Sequence, residues 1–135
     1  MELFKWSSRY SVWVDSIDED HKGLFELINT LYSSLTQGQA QDILSEVLDK
    51  LFVYAQKHFR REESLLREAS YPYLANHIAL HEYFEQSIVR YNKQLKYNPS
   101  SLSIEILSFL RDWLIQHIQG VDMDYVPYLK ANNLS

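Results

Sequence analysis

Apolar residues recur every third or fourth position through four stretches of this sequence, with polar residues filling the positions between. Residues three and four apart share one face of a helix, so this spacing predicts four amphipathic helices. The first, about residues 18–37, carries Leu24, Ile28, Leu31 and Leu35, with Asp18 or Asp20 available as its cap and Gly38 placed to stop it. The second, about 41–68, carries Leu44, Val47, Leu51, Tyr54 and Leu65. Tyr71-Pro72 breaks the chain before the third, about 72–96, with Leu74, Phe84, Ile88, Tyr91 and Leu95. A loop over 97–101 leads to the fourth, about 102–119, with Leu107, Leu110 and Leu114. An arm of about residues 1–17 precedes the first helix and a segment 120–135 follows the last. Short connections between long helices predict an all-α, antiparallel up-down-up-down four-helix bundle, one domain over residues 1–135.

The five histidines all fall on these apolar seams. His21 precedes Leu24 by three, His58 follows Tyr54 by four, His77 and His81 lie between Leu74 and Phe84, and His117 follows Leu114 by three. Their positions along the helices matter equally. His21 opens the first helix, His58 closes the second, His77 and His81 open the third and His117 closes the fourth, so an antiparallel bundle gathers all five at one end. Glu62 joins them, one turn beyond His58 on the same face, whereas Glu63 points about 100° further round and is expected to be solvated. A lone histidine on an apolar face is usually a hydrogen-bonded core residue, but five neutral imidazoles have no reason to converge in a dry core without a cation.

Composition narrows the chemistry. A net charge of -5 argues against nucleic acid. The absence of cysteine removes disulfides, thiolate metal sites and Fe–S clusters together. The first residues do not read as a signal peptide, and no apolar run reaches the roughly 18 residues a membrane helix needs, so no membrane insertion and a cytoplasmic setting are expected.

A further carboxylate lies near the end of the fourth helix, in H-I-Q-G-V-D-M-D. In a straight α-helix Asp122 would point away from the seam, while Asp124 would face inward but about 10 Å further along the axis. A bulge or break at Gly120 would swing Asp122 inward. Periodicity leaves the two aspartates open. Five imidazoles and two carboxylates are too many donors for one tetrahedral zinc. With one bridging oxide or hydroxide they fill all but one position of two octahedral ions, and this mixture of donors suits iron. The Glu-x-x-His motifs of ferritin-like di-iron proteins are absent.

The set H…H-x-x-x-E…H-x-x-x-H…H-x-x-x-x-D, in the stretches I-D-E-D-H-K-G-L-F, H-F-R-R-E, H-I-A-L-H and W-L-I-Q-H-I-Q-G-V-D-M-D-Y, resembles the hemerythrin family, specifically its single-domain bacterial members. The resemblance spans residues 17–125 and is highly specific. It implies a non-heme di-iron centre of two iron ions (Fe2+/Fe3+) with a bridging oxo or hydroxo group. One iron would take His77, His81 and His117, the other His21 and His58, with Glu62 and Asp122 bridging and the open position on the two-histidine iron. The implied function is reversible dioxygen binding for storage or delivery, by a binding protein rather than an enzyme, with no catalytic residues. Alternatives are an oxygen or redox sensor acting through a signalling partner, and a di-iron peroxidase or nitric oxide reductase. An oxygen-consuming enzyme is a further conceivable partner.

Around the open position the resemblance puts Leu24, Phe59, Trp113, Leu114 and Ile118, which also read as ordinary core and whose added role would be to exclude water. Tyr125 matches a family tyrosine near the site, and an amphipathic tyrosine at a helix end is its alternative reading. Two departures stand out. Asp20 replaces a glutamine common in the family and is expected to cap the helix. Trp13 stands where a glycine is common, so a different packing of the arm is expected.

Overall fold

The computed structural model describes residues 4–36, 40–95 and 99–134. Four long helices, α1 (Asp15–Thr36), α2 (Ala40–Glu68), α3 (Leu74–Leu95) and α4 (Pro99–Gln116), pack as a ring, each on the next and α4 back on α1. Beyond α4 the chain stays helical in altered pitch: a π turn over His117–Val121, a 3-10 turn over Asp122–Tyr125 and a short α5 (Val126–Ala131). Among the described residues there is no strand, and no helix is long and apolar enough to cross a membrane.

Three helix starts differ from the expected ones. α1 begins at Asp15 rather than near residue 18. Val14 and Ile17 are buried and draw an extra turn into the core. Asp18 therefore caps nothing; its carboxylate instead accepts from the Ser11 hydroxyl at 2.6 Å and from the Val12 N–H at 2.9 Å, tying the arm to the helix. α3 begins at Leu74, two residues later than expected. α4 begins at Pro99 rather than 102, because proline is at home in a first helical turn, where its missing N–H costs nothing. Residues 99–101 of the expected loop are thus helical, while Gly38, Tyr97 and Asn98 lie outside the described residues.

Two apolar clusters flank the histidine end. The larger runs through the bundle and includes Leu24, Phe59, Leu114 and Ile118. The smaller caps that end with Val12, Val14 and Ile17 of the arm, Leu66, Ala69 and Tyr71 after α2, and Tyr125, Val126 and Leu129 of the C-terminal turns. Between Val12 and Val14 the backbone passes through the left-handed region at Trp13, φ 64°, a conformation that favours glycine and costs about 1–3 kcal/mol in other residues. The Trp13 side chain is left exposed, with Lys130 Nζ 5.5 Å from its ring centroid. At Gly23 a side chain would collide with the phenol end of Tyr54, which lies over this glycine.

Candidate metal centre

Each helix delivers its histidines from the seam that packs the core, and all five are buried together with Glu62 and Asp122. All five rings turn Nε2 inward, and two groups form. His77, His81 and His117 surround one side of Glu62, with His21 and His58 on the other. Glu62 Oε1 lies 2.6 Å from His77 Nε2 and 3.0 Å from His81 Nε2. Its Oε2 faces His58 at 3.6 Å and His21 at 3.8 Å. Asp122 divides itself likewise: Oδ1 lies 3.1 Å from His117 and 3.2 Å from His77, and Oδ2 lies 3.3 Å from His21. Each carboxylate therefore gives one oxygen to each histidine group.

The backbone explains how Asp122 arrives there. The Asp122 N–H bonds to the His117 carbonyl, five residues back, closing a π turn. That turn holds one residue more than an α turn and rotates Asp122 onto the His117 face. Gly120 is not needed for it, since a side chain there would meet nothing within 4 Å. Asp124 is exposed and belongs to neither group.

These polar atoms fit cations. Both Asp122 oxygens are fully buried, yet none of their close contacts is aligned as a hydrogen bond. Imidazole Nε2 atoms face each other at 3.1 Å in His21–His58 and again in His81–His117. Packing two carboxylates and five inward ring nitrogens into a dry volume is costly unless a positive charge sits among them. In the polypeptide alone, protons supply that charge. Burial and the Asp122 charge push the Glu62 carboxyl upward, but hydrogen bonds with His77 and His81 outweigh them and hold it below the usual carboxylate range. Burial also opposes ionisation of Asp122, and the adjacent His117, His21 and His77 hold it well below its ordinary value. Burial alone would lower His77, yet Asp122 and Glu62 push it up to about 10. His21 and His81 are raised for the same reason, whereas at His58 burial prevails and lowers it.

Two outer carboxylates correct sequence expectations. Glu63 is not solvated: it is buried, receives His81 Nδ1 at 2.7 Å, and is gripped by the Arg60 guanidinium at 2.7 and 2.8 Å. Asp20 does not cap α1; its Oδ2 accepts from His58 Nδ1 at 3.1 Å while Oδ1 pairs with Arg61 at 3.3 Å. Such partners fix ring orientation and raise the basicity of the other ring nitrogen.

The remaining residues singled out in the sequence surround the centre. Phe59 stacks on His81 with centroids 3.9 Å apart, and Trp113 on His117 at 4.3 Å. Leu24, Leu114 and Ile118 are buried beside them. Tyr125, fully buried, donates its hydroxyl to Glu62 Oε2 at 3.0 Å.

The family model described as the hemerythrin HHE cation binding domain matches residues 13–129. The chain belongs to the hemerythrin family. A bacteriohemerythrin of Stenotrophomonas maltophilia is 33% identical over 132 residues, covering 98% of this chain and 85% of that protein. A myohemerythrin of Theromyzon tessulatum is 32% identical over 124 residues, 92% of each chain. Among solved structures, a wild-type hemerythrin superposes with a TM-score of 0.84 at 28% identity, covering 94% of this chain and 98% of that one.

Proposed function

We propose that this hemerythrin-family chain holds two iron ions and binds dioxygen reversibly, as an oxygen store or carrier in the cytoplasm rather than as an enzyme. The observation that carries the reading is the double-sided placement of Glu62 and Asp122, each with one oxygen toward either histidine group. His77, His81 and His117 would hold one ion and His21 and His58 the other, with both carboxylates shared. With only two histidines, the second group would leave room beside its ion for the gas. Iron held there would supply the reversible electron exchange that dioxygen binding needs.

The polypeptide's part is to keep that exchange reversible. Leu24, Phe59, Trp113, Leu114 and Ile118 supply no acidic proton and exclude water, which would otherwise make the electron transfer permanent. The Tyr125 hydroxyl holds Glu62 Oε2 in place, and Glu63 and Asp20 hold the rings of His81 and His58. The dry, apolar surroundings favour binding over turnover, since a peroxidase or nitric oxide reductase needs a proton donor at the open position.

The test is metal analysis and oxygen titration of the purified protein. Two irons per chain are expected, with a visible absorption band that appears with oxygen and fades when oxygen is removed. A single full-occupancy metal would contradict the ligand assignment, and oxygen uptake that cannot be reversed would favour an oxidase.

A further inference from the structure

Three tyrosines meet where the turn between α2 and α3 packs against α5. Tyr71, Tyr73 and Tyr128 line a cavity of about 430 Å³ there, together with Asn76, His77 and Asp124. Cavities of that size, mostly aromatic with a few polar groups, are typical of small-molecule sites. Tyr71 lies at 73° to Tyr128, centroids 5.0 Å apart, and at 71° to Tyr73, centroids 5.8 Å apart. Rings so steeply inclined act as walls rather than a stack, and a cavity that all three line meets π surface from more than one direction. Tyr71 is 7% exposed, while Tyr73 and Tyr128 are 58% and 37% exposed, so the cavity is closed at Tyr71 and open at the other two. The walls are held in place. The Tyr71 N–H donates to the Leu66 carbonyl at 2.9 Å, and the Tyr71 carbonyl accepts from the Leu74 N–H at 3.3 Å. The Asn132 side chain donates to the Tyr128 carbonyl at 2.8 Å and to the Ala69 carbonyl at 3.4 Å, tying α5 to the same turn. Walls fixed in advance lower the ordering cost of binding a guest.

The charge of the cavity is one-sided. No lysine or arginine lines it. Asp124 is exposed at its edge and is joined to no basic side chain among the described residues. The His77 ring reaches the cavity, but its Nε2 faces Glu62 at 2.6 Å and Asp122 at 3.2 Å, so a charge there is offset on the far side. Burial, and then the charge of Asp124, raise the Tyr71 phenol above its ordinary value. An anion would be repelled here, and an uncharged apolar guest would leave the carboxylate unused. Cations are attracted to the faces of tyrosine rings, and cages of such rings recognise quaternary ammonium groups. A quaternary ion has no N–H to satisfy, whereas a primary ammonium would ask for three acceptors. We propose that this cavity binds a small, free quaternary ammonium ion, its methyl groups against Tyr71, Tyr73 and Tyr128 and its charge balanced by Asp124, independently of what the metal centre carries. The same group occurs on lipid headgroups, but there a phosphate adjoins it, and the cavity holds no basic side chain to meet one.

Iron-loaded protein, with metal content recorded first, is titrated calorimetrically with choline at fixed ionic strength. A parallel titration uses the neutral tert-butyl analogue of choline, in which carbon replaces the ammonium nitrogen. Choline should bind saturably, one ion per chain, and the analogue about tenfold more weakly, because it keeps the shape and loses the cation–π attraction. Tyr73→Phe keeps the ring and should hold the affinity, whereas Tyr73→Leu should lose about tenfold. Asp124→Asn should weaken binding and flatten its dependence on salt. Tyr83→Leu, at an exposed tyrosine outside the cavity, should change nothing. The contrast between choline and its analogue needs no substitution, so it decides the matter even where a variant does not fold. Equal binding of the analogue would reduce the cavity to an apolar notch, and equal loss in Tyr73→Phe and Tyr73→Leu would assign recognition to the hydroxyl. Retention of the protein on phosphatidylcholine vesicles or on a trimethyllysine peptide, without binding of free choline, would make the ligand a macromolecule. Each of these results, or no choline binding at all, overturns the site and leaves dioxygen binding untouched. A chain that binds choline but takes up no iron overturns the oxygen reading alone.

Discussion

A carboxylate whose two oxygens face different cations can serve both, and Glu62 and Asp122 each turn one oxygen toward either histidine group. Glu62→Ala removes one of the two carboxylates proposed to be shared and should lower iron content below two per chain; unchanged metal analysis in a folded variant would refute the proposed bridging role. Leu114 works without polar atoms. It is 1% exposed, so Leu114→Ala should cost about 2–5 kcal/mol in thermal or denaturant unfolding. The cavity it leaves borders buried polar groups, and such a cavity takes up water where an apolar one stays dry. The variant should therefore bind iron yet lose its oxygen band faster, and an unchanged decay rate would mean that Leu114 is core and nothing more. At this scale the inward histidines and Glu62 were legible because each sits on its own helix's apolar stripe. Glu63 and Asp20 were not, because the histidines they contact lie on neighbouring helices and the pattern of one helix says nothing of what faces its flank.

The four long helices were legible in number and order, and less so at their ends, while the turns and the short α5 beyond them were not. Periodicity reports which face is buried, while starts depend on local bonds such as those from Ser11 and Val12 to Asp18, which no stripe records. The turn after α4 is the instructive case. Straight-helix geometry points Asp122 away, and the family motif alone argued for it; the π turn supplies the physical reason, by absorbing one extra residue between His117 and Asp122. A direct test follows from that geometry. Deleting the exposed Gln119 leaves the aspartate four residues after His117, on the same face of a regular α-helix, so iron content should survive. Inserting an alanine beside Gln119 instead turns the aspartate about 100° further and should empty its bridging position. Retention of both irons in the insertion variant, or loss in the deletion variant, would show that something other than turn pitch aims Asp122.

For the molecule as a whole, the centre lies between two apolar clusters, so what it binds is coupled to whether the fold holds. Without metal, protons on His77, His21 and His81, all raised by the adjacent carboxylates, offset the buried negative charge. His77 is raised from 6.5 to about 10, so its bound proton stabilises the metal-free fold fully below pH 6.5, and that contribution is lost as pH rises toward 10. Glu62 is depressed below 4.5, so its contribution is present above pH 4.5 and lost as acid protonates it. A metal ion replaces the protons, and at neutral pH it must displace the one on His77. Uptake should therefore release protons, and apparent affinity should rise from pH 6.5 toward 10. Because ligand binding to the folded state adds to its stability, the gap in melting temperature between metal-loaded and metal-free protein should widen over the same interval. Redox-inert Zn2+ is a suitable probe, since it isolates coordination from oxygen chemistry. Calorimetric titration in buffers of different ionisation heat would count the protons, and paired melting curves would follow the gap. A metal-free chain that grows more stable between pH 6.5 and 10, or zinc uptake without proton release, would mean that protons do not occupy the place of the metals.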